Sequence, residues 1–240
     1  MSAPFSIGPG IDIGSGINIG IDPPPPVLML NLDAAGYAGS GPWIDTVNSL
    51  SFTLNNSPTY SGIIGGGSFN FDPASSQWAN SSASLSNLST WTVVAWHYYA
   101  GTNTGFAPCI VTELYPSVTN TINYTLGSTI SGSTNLQAGF FNGAWETTAT
   151  GYSLTSSNWY QIVGTYDGSS VKLYVNNTLI NTTNYSGTPT SGGSGIRLMR
   201  RWDDADYWGG RLAIVQIYEG AFNAPHVATN WNTNKARFGL

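Results

Sequence analysis

The sequence predicts an all-β protein, an antiparallel two-sheet sandwich, and three observations carry that expectation. Only 8% of its 240 residues are charged, while 29 are glycine and 13% are aromatic; an average domain is about a quarter charged. Hydroxyls, amides and glycine turns therefore replace charge on the surface, which suits many short strands. Residues 159–180 (WYQIVGTYDGSSVKLYVNNTLI) read as a three-stranded meander. Asp167-Gly168 and Asn176-Asn177 are its turns, and Val171, Leu173 and Val175 alternate with Lys172 and Tyr174 between them. No long helical pattern interleaves the strands, so parallel α/β folds are excluded.

Taken in order, residues 1–22 differ from the rest. Ile7, Ile11, Ile13, Ile17 and Ile19 stand at near-alternate positions broken by glycine, which suits short extended pieces. One such arm cannot bury its isoleucines alone, so it is expected to dock on partner proteins or pair with sister copies. Pro23 to Pro26 form a stiff polyproline spacer and a domain boundary. The domain then occupies residues 27–240, beginning with a buried strand at 27–32 (VLMLNL).

Residues 33–43 are glycine-rich and loop-like, and alternation at 49–56 and 68–71 marks two strands. The stretch 75–90 reads as irregular, whereas 91–99 (WTVVAWHYY) is a strand dense in β-branched and aromatic residues. Further strands are expected at 107–114, 137–141, 145–150, 196–199 and 210–218, about a dozen in all with the meander. One short helix is expected at 224–233, capped by Asn223 with Pro225 in its first turn.

The meander reads W-Y-x-I-V-G-T-Y-D-G-S-x-V-K-L-Y-V-N-N and resembles the signature hairpin of laminin-G-like domains, a branch of the concanavalin A-like jelly rolls. The closing segment 207–240, ending in N-x-x-K-x-R-F-G, is similar to versions found in bacteriophage virion proteins. The resemblance, with weaker matches at LMLNLDAAGY and GGGSFNFDP, covers roughly residues 27–240. It implies a jelly-roll sandwich and, for its phage-like form, a virion surface protein, either capsid decoration or fibre.

Composition narrows the function. A net charge of -5 with no long basic run argues against nucleic acid as a partner. Cys109 is the single cysteine, so there is no disulfide framework or cysteine-rich zinc site. No stretch is apolar enough to span a membrane, and MSAPFSIGPG lacks the features of a secretory signal. These points fit a protein made in a host cytoplasm and carried on a virion. Its expected partners are other virion proteins through residues 1–26, sister copies in a homo-oligomer such as a trimer, and a cell-surface glycan.

Candidate chemistry is concentrated in residues 197–211. Arg200, Arg201, Trp202, Tyr207 and Trp208 are candidates for stacking on and hydrogen bonding a sugar, and Asp203, Asp204 and Asp206 for holding a structural calcium ion. The resemblance adds Asp72 of the F-x-F-D strand to the calcium set. The competing reading of this loop is arginine–aspartate pairing with the tryptophans closing the end of the sandwich. No catalytic residue is expected. Glu113, Glu146 and Glu219 each lack a second carboxylate two to five residues away, unlike the E-x-D-x-x-E motif of related glucanases. His97 and His226 stand without a nucleophile elbow. Two other classes stay open: a leaderless or secreted carbohydrate-binding module or adhesin, and a glycoside hydrolase of the same fold.

Overall fold

The computed structural model describes residues 25–105, 107–114, 121–128, 135–148, 152–185, 187–203 and 206–240. The arm isoleucines Ile7, Ile11, Ile13, Ile17 and Ile19, and with them Asp204, lie outside the described residues. In chain order the strands are β1 (Val27–Asp33), β2 (Trp43–Ile44), β3 (Ser51–Asn55), β4 (Thr59–Ser61), β5 (Ser68–Phe71) and β6 (Trp78–Ser81). They continue with β7 (Trp91–Asn103), β8 (Cys109–Glu113), β9 (Thr121–Ser128), β10 (Leu136–Asn142) and β11 (Trp145–Thr147). The chain closes with β12 (Asn158–Tyr166), β13 (Ser170–Val175), β14 (Thr178–Asn184), β15 (Ile196–Leu198), β16 (Trp208–Glu219) and the helix α1 (Ala224–Asn234).

These strands form two antiparallel sheets of eight, a jelly-roll sandwich. The first runs β14-β13-β12-β7-β16, with β1 and β5 dividing the far edge of β16 and β4 beyond β5. The second runs β11-β10-β9-β8-β15-β6-β3-β2. The main core between them includes Trp91, Leu126, Phe140, Tyr166, Leu173 and Val215.

The meander forms as expected, with Tyr166 paired to Val171 and Val175 to Thr178. Asn176 and Asn177 take left-handed angles, φ 48° and 64°, as a tight two-residue turn requires. Asp167 holds the other turn by accepting from the backbone N–H of Ser169 and Ser170 at 2.9 and 2.7 Å.

The meander's two faces are less different than its alternation suggests. Val171, Leu173 and Val175 enter the main core, but Tyr174 on the opposite face is also buried. The cause is α1 and the tail, which cover the outer face of the first sheet over Val94, Trp96, Val163 and Ile214. Double coverage explains why 91–99 is apolar almost continuously. Four strands fall where none was expected, the short β2 and β4 and the longer β6 and β9. β6 lies inside the stretch read as irregular, and in β9 the core residues Tyr124 and Leu126 alternate with polar residues, Asn123 and Thr125, that are buried as well.

The tail is fastened by Arg237. Its Nε and Nη2 donate to the carbonyls of Gly65 and Gly67, and Nη1 pairs with Asp33 at 2.8 Å. Gly67 has φ +119°, and a Cβ there would lie 2.7 Å from Ala35 Cα and backbone N. Gly67→Ala is therefore expected to cost more than about 2 kcal/mol, from strain and clash together. Chemical denaturation measures this, and a loss below about 0.5 kcal/mol would contradict the tight approach.

Candidate functional site

The loop between β15 and β16 folds back on itself. Arg200 bridges to Tyr207, the Arg201 N–H donates to the Asp206 carbonyl at 2.8 Å, and the Trp208 N–H donates to the Met199 carbonyl at 3.0 Å. Asp206 is buried at its base and accepts from the Ala107 N–H at 2.7 Å and Arg201 Nη1 at 3.2 Å. Gly105 makes room for it, since a Cβ there would fall 1.5 Å from Asp206 Oδ1. Arg201 Nε also lies 3.1 Å from Asp203, whose side chain keeps 39% of its exposure.

The sugar-stacking candidates separate here. Trp208 is fully buried, and its indole N–H donates to His97 Nε2 at 2.9 Å, so its ring offers no face to a ligand. Trp202 is 92% buried: the Arg201 guanidinium lies 4.6 Å over one ring system and Trp145 packs at 4.5 Å. Arg200 lies over both Trp78, at 4.2 Å, and Tyr207, at 5.1 Å. Both tryptophans in the expected stacking set thus act as supports. The exposed one is Trp145, on edge strand β11, at 37% exposure. It rests on Phe141, at 4.9 Å, and on Trp202. Sequence reading placed residue 145 in a strand, and nothing local revealed that the strand lies at a sheet edge beside the loop.

Among the described residues, the candidate calcium ligands Asp72, Asp203 and Asp206 form no metal-binding group. Asp203 and Asp206 share the Arg201 cation, which supplies the positive charge a metal would bring. Asp72 caps a 3-10 turn at Pro73–Ser75, accepting from the Ala74 N–H at 3.0 Å and the Ser75 hydroxyl at 2.8 Å. Among the described residues no group of three or more acids, histidines or cysteines could hold a metal ion. The arginine–aspartate reading of the loop describes this geometry.

The other titratable groups are embedded. His97 is buried, and burial holds its pKa down to about 3 despite the Arg211 carbonyl at 2.9 Å from Nδ1. Glu113 is buried on β8, where burial raises its pKa against hydrogen bonds from Ser191 and the Asn123 N–H. Burial pushes the Cys109 thiol up to about 12, which leaves it unreactive. Glu113, Glu146 and Glu219 sit on three different strands, β8, β11 and β16.

This fold is shared widely. Residues 72–228 match the family model of the concanavalin A-like lectin/glucanases superfamily, so the chain belongs to that family. Domain 4 of AbnA, an extracellular arabinanase of Geobacillus stearothermophilus solved with arabinotriose, superposes with a TM-score of 0.64 at 15% identity, over 85% of this chain and 98% of that one. A structure of botulinum neurotoxin type C, whose cell entry depends on interaction with two ganglioside molecules, gives 0.64 at 12% identity. The botulinum neurotoxin type G receptor-binding domain gives 0.65 at 12%. For both toxins 86% of this chain is matched and it spans about half of theirs, 51%. A search of curated protein sequences finds no match.

Proposed function

We propose that this chain is a non-catalytic, glycan-binding jelly roll displayed on a virion surface, with residues 1–26 attaching it to the particle. Trp145 is the observation that carries the binding reading. An exposed indole on a rigid aromatic base is a platform for the apolar face of a sugar ring. Asp203 and Arg201 beside its supporting tryptophan supply an acceptor and donors for hydroxyls. The described neighbours solved or discussed with arabinotriose and gangliosides support the same class of ligand. The virion placement rests on the phage-like tail motif and the isoleucine arm.

Two measurements test this reading. On a glycan array the full chain should bind at least one glycan, with affinity falling about thirtyfold or more in Trp145→Ala and largely kept in Trp145→Phe. An unchanged Trp145→Ala profile excludes the corner as the site. Deleting residues 1–26 should leave the domain folded and remove it from purified particles. Glycan binding without particle association would instead make the chain a free carbohydrate-binding module.

A further inference from the structure

We infer that a second ligand site lies on the opposite side of the sandwich from Trp145, in a cleft between α1 and the Pro25–Pro26 segment. Its ligand is a small, uncharged, hydroxyl-rich molecule of about one or two sugar rings. The cleft has a volume of about 430 Å³, within the usual range for small-molecule sites. His226, Thr229, Asn230, Thr233 and Asn234 line it from the helix. Their spacing, i, i+3, i+4, i+7, i+8, is one complete helical stripe. Val227 lies on the other face and packs into the sheet. The polar stripe of α1 therefore forms one wall of an open cleft, with Thr229 and Thr233 exposed and Asn230 buried.

The wall opposite supplies apolar surface. Tyr218 and Phe222 line it, with ring centroids 4.5 Å apart, and Pro25 and Pro26 close one side. None of the residues lining this cleft is Lys, Arg, Asp or Glu, which selects against ions. The hydrogen-bonding inventory is directional. The Thr229 and Thr233 hydroxyls donate to the carbonyls of Pro225 and Thr229, at 3.0 and 2.8 Å, so their oxygens are left to accept. Asn234 Nδ2 donates to the Asn230 carbonyl, which leaves Oδ1 as a third acceptor.

His226 supplies the matching donor. Its Nδ1 accepts from the Asn223 N–H in the capping box, so the neutral ring carries its proton on Nε2. Three acceptors, one donor and two aromatic faces suit a molecule rich in hydroxyl hydrogens. The cleft also shares Pro25, Pro26, Phe222 and His226 with a second hollow of about 620 Å³ that reaches the Asp167–Lys172 pair. A ligand here therefore contacts Pro25 and Pro26, the first described residues of the chain.

The test uses saturation-transfer NMR on the full-length Trp145→Ala chain, which removes the other platform. Probes are glucose, galactose, arabinose and N-acetylglucosamine at millimolar concentration. At least one should receive saturation, and Thr229→Val with Thr233→Val should weaken its binding about tenfold, as two lost hydrogen bonds imply. Thr233→Arg, made from an exposed helix position, should block the signal while leaving the melting temperature in place. Absence of transfer to every probe, or transfer indifferent to both variants, overturns the inference. Neither result bears on Trp145, whose site is read in the otherwise unaltered chain.

Discussion

Trp96→Ala is expected to lower stability by about 4 kcal/mol, at the upper end of large-to-small core substitutions. Trp96 is fully buried on the outer face of the first sheet and lies between two rings of the C-terminal segment. Trp231 stacks at 5.6 Å and 11°, and Phe238 at 4.6 Å and 16°. Its indole N–H donates to Asn230 Oδ1, which also accepts from Gln161. Alanine removes the ring that joins sheet, helix and tail, and leaves Asn230 with one donor fewer. The expected fall in melting temperature is roughly 8–16 °C for a chain of this size. The tail should also become sensitive to protease well below the global transition, because it loses the contact that holds it. A loss under about 1 kcal/mol would show that the Trp96 ring is not what joins α1 and the tail to the sheet.

What was legible in the sequence follows the range over which each signal acts. The turns at Asp167-Gly168 and Asn176-Asn177, and the Asn223 cap of α1, are local chemistry, so they could be read directly. β9 could not, because its buried Asn123 is satisfied by the backbone of Leu88, 35 residues away. Asn123 also begins an Asn-x-Thr triplet of the kind that accepts N-glycans, and with no exposed surface it has no room for one. Asp72 carries a second such lesson. A carboxylate before proline can cap a turn or bind a metal, and only the position of the neighbouring N–H groups decides between them.

The candidate site shows the same limit more sharply. Residues 197–211 were recognisable as a dense functional-looking loop, but which aromatic ring meets solvent depends on which strands are sheet edges. Trp208 begins β16, a strand flanked on both sides, and is covered. Trp145 belongs to β11, the last strand of its sheet, and is not. The loop reading named the support and missed the platform resting on it.

Acidification should destabilise the fold through His97, and with it the loop that carries the candidate site. His97 is neutral in the folded state: one ring nitrogen contacts the Arg211 carbonyl and the other accepts the Trp208 indole N–H. Burial lowers its folded pKa from 6.5 to about 3, so the unfolded chain binds the proton more readily. Stability from this group is therefore complete above pH 6.5 and is lost as pH falls towards 3. By pH 4.5 the loss should reach roughly 2–3 kcal/mol. Protonation also turns Nε2 from acceptor to donor against Trp208, the residue at the root of the site loop. Glu113 acts in the opposite sense, since its raised pKa favours the folded state as pH falls towards 4.5. The measurement that separates them is the difference in unfolding free energy between the native chain and His97→Gln, followed from pH 7 to pH 4. Glu113 is common to both chains and cancels. A difference that shrinks steadily below pH 6.5 identifies His97 as the source of the acid loss; a flat difference would assign it to the carboxylates.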